Sequence, residues 1–345
     1  MKQNSITKFV VFLVLASMVL AACAPAAATE APAPAAPAAE EAAPAADSPT
    51  AAPTAEPLSG TISISGAFAL YPMMTVWADE FTKLNPGVQF DVQGGGAGKG
   101  MTDTIAGAVD IGMISRSIKE EESSQGIFWV SVTKDAVFPI VAEGNPVLET
   151  LKTTGITAET FGKIFITGEF TTWGQVVGDP SITDEIHVYT RSDSAGAAEM
   201  WAKFSGGKVQ DDLKGIALNG EPALVEQVLK DPLGIGYANL NSVYDLATGQ
   251  PVPGIVAPYI DVNANGAVDA SEKLDDLATV VKAVADGVYP SPPARFENLA
   301  TKGKPDGVVL AFINWILTDG QAFTDQAGYV PLTGAQQQES LDKLK

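Results

Sequence analysis

The chain has 345 residues, 41 acidic and 21 basic, for a formal net charge of −20. That balance excludes nucleic acid and an anionic membrane surface as partners, because both select cationic faces. The single cysteine excludes an internal disulfide.

Lys2 and Lys8 flank the start of an apolar run from Phe9 to Ala22. The run is short for a membrane span of ~20 residues and predicts a signal peptide over residues 1–22. It ends in Leu20-Ala21-Ala22-Cys23, which resembles a bacterial lipobox. The resemblance implies cleavage before Cys23, lipid on its sulfur, and a mature protein anchored to a membrane in the cell envelope, outside the cytoplasm. Residues 23–57 are almost all Ala, Pro, Glu and Thr. They predict a disordered tether reaching up to ~100 Å at ~3.1 Å per residue.

Residues 58–345 are many for a single core and predict two lobes. Thr61–Ser65 alternates as a strand, Gly66–Tyr71 turns, and Pro72 opens a helix through Leu84. Val88–Val92 is the next strand, then a glycine-rich loop Gly94–Gly100 and a helix to about Ala108. Further strands are predicted at Val109–Ile114, Ala136–Val141 and Ile186–Tyr189. Arg191–Gly196 is a turn before a helix Ala197–Phe204. Repeated βα units predict an α/β fold with a mostly parallel sheet and a ligand beyond the strands' carboxyl ends.

The loop sequence QGGGAGKGMT has the look of a nucleotide-binding P-loop. Gln93 stands where that motif needs its first glycine, and Gly100 where it needs a hydroxyl. The dinucleotide pattern fails as well, with Lys99 at the third glycine. What remains is a set of backbone N–H groups and a helix start, which suit an anion. Lys99 either reaches the cleft or sits on a solvated helix face. His187, the only histidine, is expected to be a packed or surface residue, and no Ser–His–Asp set or zinc cluster is evident. The tryptophans Trp77, Trp173, Trp201 and Trp315 are expected in the core.

The ordered segments GAFALYP, WADEF, QGGGAGKG, VDIGMISR, GITAETFGKIFITGEFTTW, RSDSAG, GIGYANL and FINWILTDGQAFTDQAGYVPL span nearly all of Leu58–Leu332. Together they resemble the phosphate-binding proteins of bacterial ABC importers, in the periplasmic binding protein superfamily. That resemblance implies two α/β lobes of the type II arrangement: lobe I from residues 58–137 and 255–345, lobe II from 138–254. It implies crossing strands near Ala136–Val141 and Val252–Tyr259, and a ligand clamped between the lobes. It further implies a monomer that serves a permease and catalyses nothing. The implied ligand positions are Leu70 and Tyr71, Ala97 and Gly98, Ser115 and Arg116, Arg191 and Asp193, and Ala195, Gly196 and Ala197. Arg191 is the implied cation and Asp193 the acceptor for a proton on the ligand; the alternative for an Asp before a helix is an N-cap. Leu70, Ala97, Ala195 and Ala197 replace hydroxyl residues of the family, which keeps "oxyanion clamp" and weakens "phosphate" alone. A sensor or surface protein on the same fold is the alternative. A phosphate-ester hydrolase would need a nucleophile with a base, or a metal cluster, and neither is evident.

One insertion stands apart. Asp261 to Glu272, DVNANGAVDASE, matches the twelve-residue calcium loop at every specified position. Asp261, Asn263 and Asn265 offer side-chain oxygens, Gly266 the turn, Ala267 a carbonyl, Asp269 a contact through water, and Glu272 two oxygens. A strand Gly254–Ile260 is predicted before it and a helix Lys273–Ala285 after it. The expectation is a lone structural calcium site in lobe I.

Overall fold

The computed structural model describes residues 57–345. The expected signal peptide, Cys23 and all but the last tether residue lie outside them. Among the described residues no helix is long and apolar enough to cross a membrane.

Strand β1 (Ser59–Gly66) pairs in parallel with β2 (Gly87–Gly94) and β3 (Ile111–Ile114). The helix Tyr71–Leu84 joins the first two, with Pro72 in its first turn. Pro fits there because those N–H groups have no intrahelical partner anyway. Met73, Met74, Trp77, Ala78 and Phe81 recur on one stripe of this helix and are its buried residues. The helix Ala97–Ala106 then runs from β2 toward β3. Its Gly100 packs on β1, where an added Cβ would lie 2.7 Å from Gly66 Cα. The glycine-rich loop thus serves close helix–strand packing.

Two strands cross the middle of the molecule. β4 (Ile127–Ala142) pairs antiparallel with β9 (Ala294–Lys302) along Ile127–Ala136 and with β7 (Gly234–Asn239) along Val137–Val141. β9 also pairs antiparallel with β3. On the far side β5 (His187–Arg191) runs parallel to both β7 and β6 (Ile216–Leu218), and the short β8 (Ile255–Val256) adds to the end of β4. The sheet order is β2-β1-β3-β9-β4-β7-β5-β6. The sheet is therefore parallel within each flank and antiparallel at its centre, a correction to "mostly parallel".

Two hydrophobic cores flank the crossing. One gathers Ile62, Trp77, Phe81, Met113, Val130, Leu299, Phe312 and Ile316, and the other Val137, Phe138, Leu151, Phe165, Trp201, Tyr237 and Val284. Ile255, Ile260, Leu277, Val280 and Tyr289 belong to this second core. Residues 255–294 therefore pack with lobe II, not with lobe I as expected. The cause is local pairing: β8 continues β4, and Ile260 bridges to Ile156. The second crossing is accordingly β9 rather than Val252–Tyr259. The strand expected at Gly254–Ile260 shortens to Ile255–Val256, and the helix expected from Lys273 begins at Leu277. Trp77, Trp173, Trp201 and Trp315 are buried as expected.

Candidate anion site

Turns at the ends of β1, β2, β3 and β5 meet over the crossing strands and enclose a small cavity. It is lined by Ala67, Phe68 and Ala69, by Gly96 and Ala97, by Ser115, by Arg191, by Ala195, Gly196 and Ala197, and by Asn239. The helices Ala97–Ala106 and Gly196–Phe204 both begin at this cavity. Neither has a side-chain cap, so first-turn N–H groups and the positive dipole ends converge there.

Arg191 supplies the cationic side. Its side chain is 2% exposed; Nε donates to Asp193 Oδ1 at 2.7 Å and Nη2 donates to Asp193 Oδ2. Asp193 Oδ1 also accepts from the Gly220 N–H at 2.9 Å. Burial opposes the charge on Asp193, but the hydrogen bonds and charge of Arg191 outweigh it and hold its pKa below the ordinary value. Asp193 is thus first of all the partner of Arg191. The Arg191 guanidinium also sits 5.6 Å from the Phe68 ring centroid, across the cavity. Gln210 pins the turn: its Nε2 donates to the carbonyls of Arg191 and Asp193, and its Oε1 accepts from the Ala195 N–H.

Several expected positions are placed otherwise. Leu70 is a core residue whose N–H donates to Ala67 O at 3.2 Å, and Tyr71 is 39% exposed. Ala67, Phe68 and Ala69 take their place, because the helix begins after the turn has passed the cavity. Gly98 donates its N–H to Ser194 O at 3.0 Å, a bond between the two lobes rather than a free donor. The Ala195 N–H is likewise spent on Gln210. Arg116 turns away. It forms a two-pronged pair with Glu122 at 2.6 and 2.8 Å and approaches Glu199 at 3.6 Å. Lys99 pairs with Asp103 on an exposed face. Ser115, Arg191, Gly196, Ala197 and Ala97 do come together. Phe68, Gly96, Gln210 and Asn239 escaped the sequence reading, although Asn239 lies inside the motif GIGYANL.

A larger groove of about 420 Å³ includes Arg116, Trp129, Met200, Lys203 and Phe296 in its wall. Of the cations in its wall, Arg116 and Lys203 are paired with Glu122 and Glu199, and Arg295 with Asp135 and Glu297. The smaller cavity is the better anion site because two helix starts meet Arg191 there, itself held by Asp193. No nucleophile with an adjacent base lines it. His187 is bonded to Asp231 on the outer side of β5. The lining of the smaller cavity is of the kind that suits an oxyanion, in a cavity of about 10 Å³ as the two lobes stand.

In the calcium-type loop, Asp261 and Glu272 are 2% and 6% exposed. Asp261 accepts from the N–H groups of Asn265 and Gly266, and Glu272 from those of Val262 and Asp269. Asn263 and Asn265 both turn toward Asp269 Oδ2, at 2.7 and 3.1 Å. The Val268 N–H ties the loop to Thr153 O.

A family model described as the PBP superfamily domain matches residues 51–320. The phosphate-binding protein PstS of Bacillus subtilis is 26% identical over 282 residues, covering 81% of this chain and 83% of its own. Protein SphX of Synechococcus elongatus is 27% identical over 285 residues, covering 79% and 77%. Among solved structures, a putative phosphate ABC transporter substrate-binding protein with bound phosphate from Clostridium perfringens superposes with a TM-score of 0.64 at 22% identity, covering 79% of this chain and all of that one. An ABC-type phosphate transport receptor from Vibrio cholerae gives 0.57 at 22%, with 79% of this chain covered.

Proposed function

The chain belongs to the PBP superfamily, and from that premise we propose that it captures phosphate, or a related tetrahedral oxyanion, for an ABC importer. The observation that carries this reading is the junction of Arg191 with two uncapped helix starts at one cavity. Charge-assisted bonds from a guanidinium contribute about 1.5–3 kcal/mol each, and a buried helix start adds up to ~2 kcal/mol. Backbone N–H groups replace the missing hydroxyls, and Ser115 supplies one. Asp193 Oδ2 accepts from Arg191 Nη2 and lies 2.8 Å from where a Cβ on Gly96 would stand. Its remaining lone pairs would accept a proton from hydrogen phosphate. Sulfate has no such proton and meets only the repulsion of the Asp193 carboxylate. The Bacillus subtilis relative, named as a phosphate-binding protein, supports the same ligand class.

The test is calorimetry on residues 57–345. The expected result is phosphate binding at micromolar Kd or tighter, ~−8 kcal/mol, with sulfate far weaker. Equal affinity for the two overturns the role of Asp193, and binding of neither overturns the phosphate reading. We further propose that the protein works as a monomer held to a membrane by lipid on Cys23. Cys23→Ser should release it from the membrane fraction of its host.

We also propose that residues 261–272 bind calcium. By residue type the set suits a hard cation, since Asp261, Asn263, Asn265, the Ala267 carbonyl, Asp269 and Glu272 are all oxygen donors. Among the described residues no three carboxylates are gathered for a metal, so binding would turn Asp261 and Glu272 away from the loop N–H groups that now donate to them. Calcium would pin the loop to the second lobe through Val268 and Thr153, adding ~2.7 kcal/mol at a hundredfold excess over Kd. The expected result is a melting midpoint raised by millimolar calcium and lowered by a chelator, with Glu272→Ala indifferent to both. Indifference in the wild type overturns the assignment.

A further inference from the structure

Asp135 of β4 meets Arg295 and Glu297 of β9 where the crossing strands pair, and none of the three is more than 6% exposed. Arg295 Nε donates to Glu297 Oε1 at 3.1 Å, and Nη2 donates to Asp135 Oδ2 at 3.0 Å and to Asn239 Oδ1. Asn239 in turn donates from its N–H and its Nδ2 to Glu221, which lies 3.7 Å from Arg191 Nη1. The cluster is therefore wired to Asn239 and Arg191, two residues of the anion cavity.

Its charges do not cancel. Asp135, Glu297, Glu221 and Asp193 face only Arg295 and Arg191, four carboxylates against two guanidiniums, which leaves a net charge of −2 with every group ionised. The other titratable groups packed against the cluster are Tyr237, Tyr289 and Tyr329. Burial keeps these phenols neutral, with Tyr289 and Tyr329 donating to backbone carbonyls and Tyr237 bonded to Thr190 and the Arg191 N–H. Asp135 Oδ1, Arg295 Nη1 and Glu297 Oε2 are each buried without a hydrogen-bond partner. A fully ionised cluster would repel an incoming anion in a medium where charges are weakly screened.

We propose that Asp135 and Glu297 hold a shared proton at neutral pH and that anion capture draws further proton occupancy onto this pair, so that capture strengthens as pH falls. The coupling rests on the reading of the cavity as an oxyanion site; the shared proton does not. Burial pushes Glu297 up to about 8 and Asp135 up to about 6, against the opposing charge of Arg295. A second anion beside Asn239 and Arg191 raises the proton affinity of both carboxylates again. Glu297→Gln keeps the shape of the side chain and fixes it in an uncharged state.

The first measurement needs no ligand. A carboxyl whose folded-state value exceeds its unfolded value stabilises fully at low pH and loses that effect as pH rises toward the folded value. Between pH 5 and 8.5 the wild-type melting midpoint should therefore fall further than that of Glu297→Gln, by on the order of 5 °C. Equal falls overturn the proposal whatever the ligand. The second measurement is calorimetry with inorganic phosphate at pH 7.5 in buffers of different ionisation enthalpy. The wild type should take up more protons per phosphate than Glu297→Gln, and its affinity should fall several-fold more steeply toward pH 8.5. The ionisation of phosphate itself cancels between the two proteins. Identical proton uptake overturns the coupling. Asp135→Asn serves as the second variant if Glu297→Gln does not fold. Failure of the wild type to bind phosphate at every pH overturns the phosphate reading instead, and the melting comparison still decides the shared proton.

Discussion

The two walls of the anion cavity are built on opposite plans. The wall from the first lobe is Ala67, Phe68, Ala69, Gly96, Ala97 and Ser115, with no charge among them. Its nearby cations, Lys99 and Arg116, are turned to Asp103 and Glu122. The wall from the second lobe carries Arg191, backed by Asp193 and Glu221 and linked through Asn239 to the crossing strands. Each wall offers a helix start, and only the second adds charge. An anion meeting the open cleft would dock on the second wall first and be covered by the first.

Removing the charge should therefore cost most. Arg191→Met should weaken phosphate binding at least a hundredfold, about 2.7 kcal/mol or more, while the fold survives because Gln210 still holds the turn. Calorimetry reads this directly. A loss under tenfold would show that the N–H groups carry the affinity and that the two walls are equivalent.

A smaller effect is expected where the walls touch. Gly196 approaches Ser115 so closely that an added Cβ would lie 2.2 Å from Ser115 Oγ and 2.5 Å from its carbonyl oxygen. Gly196→Ala should hold the lobes apart and weaken binding about tenfold, with little change in the melting point of the ligand-free protein. Small-angle scattering with ligand should show a more open particle than the wild type. Wild-type affinity in this variant would mean that closure does not bring the walls into contact.

The smallest effect belongs to the rim. Glu199, on the helix that starts at Gly196, reaches Arg116 at 3.6 Å and Lys119 at 3.9 Å on the other lobe. Arg116 keeps Glu122 when Glu199 is neutralised. Glu199→Gln should raise the phosphate release rate two- to fivefold, ~0.5–1 kcal/mol, and the effect should shrink in high salt. Stopped-flow release measures it, and an unchanged rate removes this ion pair from the closing contacts.

Legibility from the sequence followed the range of the interactions. The helix Tyr71–Leu84 was readable from its own stripe and its Pro72, and the turn at Arg191 from its neighbours RSDSAG. The sixteen-residue β4 was reduced to Ala136–Val141, because Lys134 and Asp135 break the apolar run. Asp135 is tolerated inside only because Arg295 reaches it from a sequence separation of 160. Pro139, a residue that normally argues against a central strand, sits opposite Tyr237. The same limit hid Gln210 and Asn239, whose roles arise from partners on other elements. It also misplaced residues 255–294, whose lobe is decided by pairing with β4 and Ile156. The first-turn positions Leu70 and Tyr71 were displaced by a turn that reaches the cavity one to three residues earlier.

The central position of β9 also has a consequence for how the molecule comes into being. The first lobe begins with β1 at Ser59, yet its sheet is completed by a strand from near the other end of the chain. Asn298 bonds back to Ile114 O across a sequence separation of 184. Until that strand is made, β3 has an open edge and the lobe lacks Leu299 and Ala300 from its interior. Closing so large a loop before its contacts give anything back slows folding. The nascent chain should therefore stay uncommitted through most of its synthesis, and both lobes should acquire their final structure in one late step.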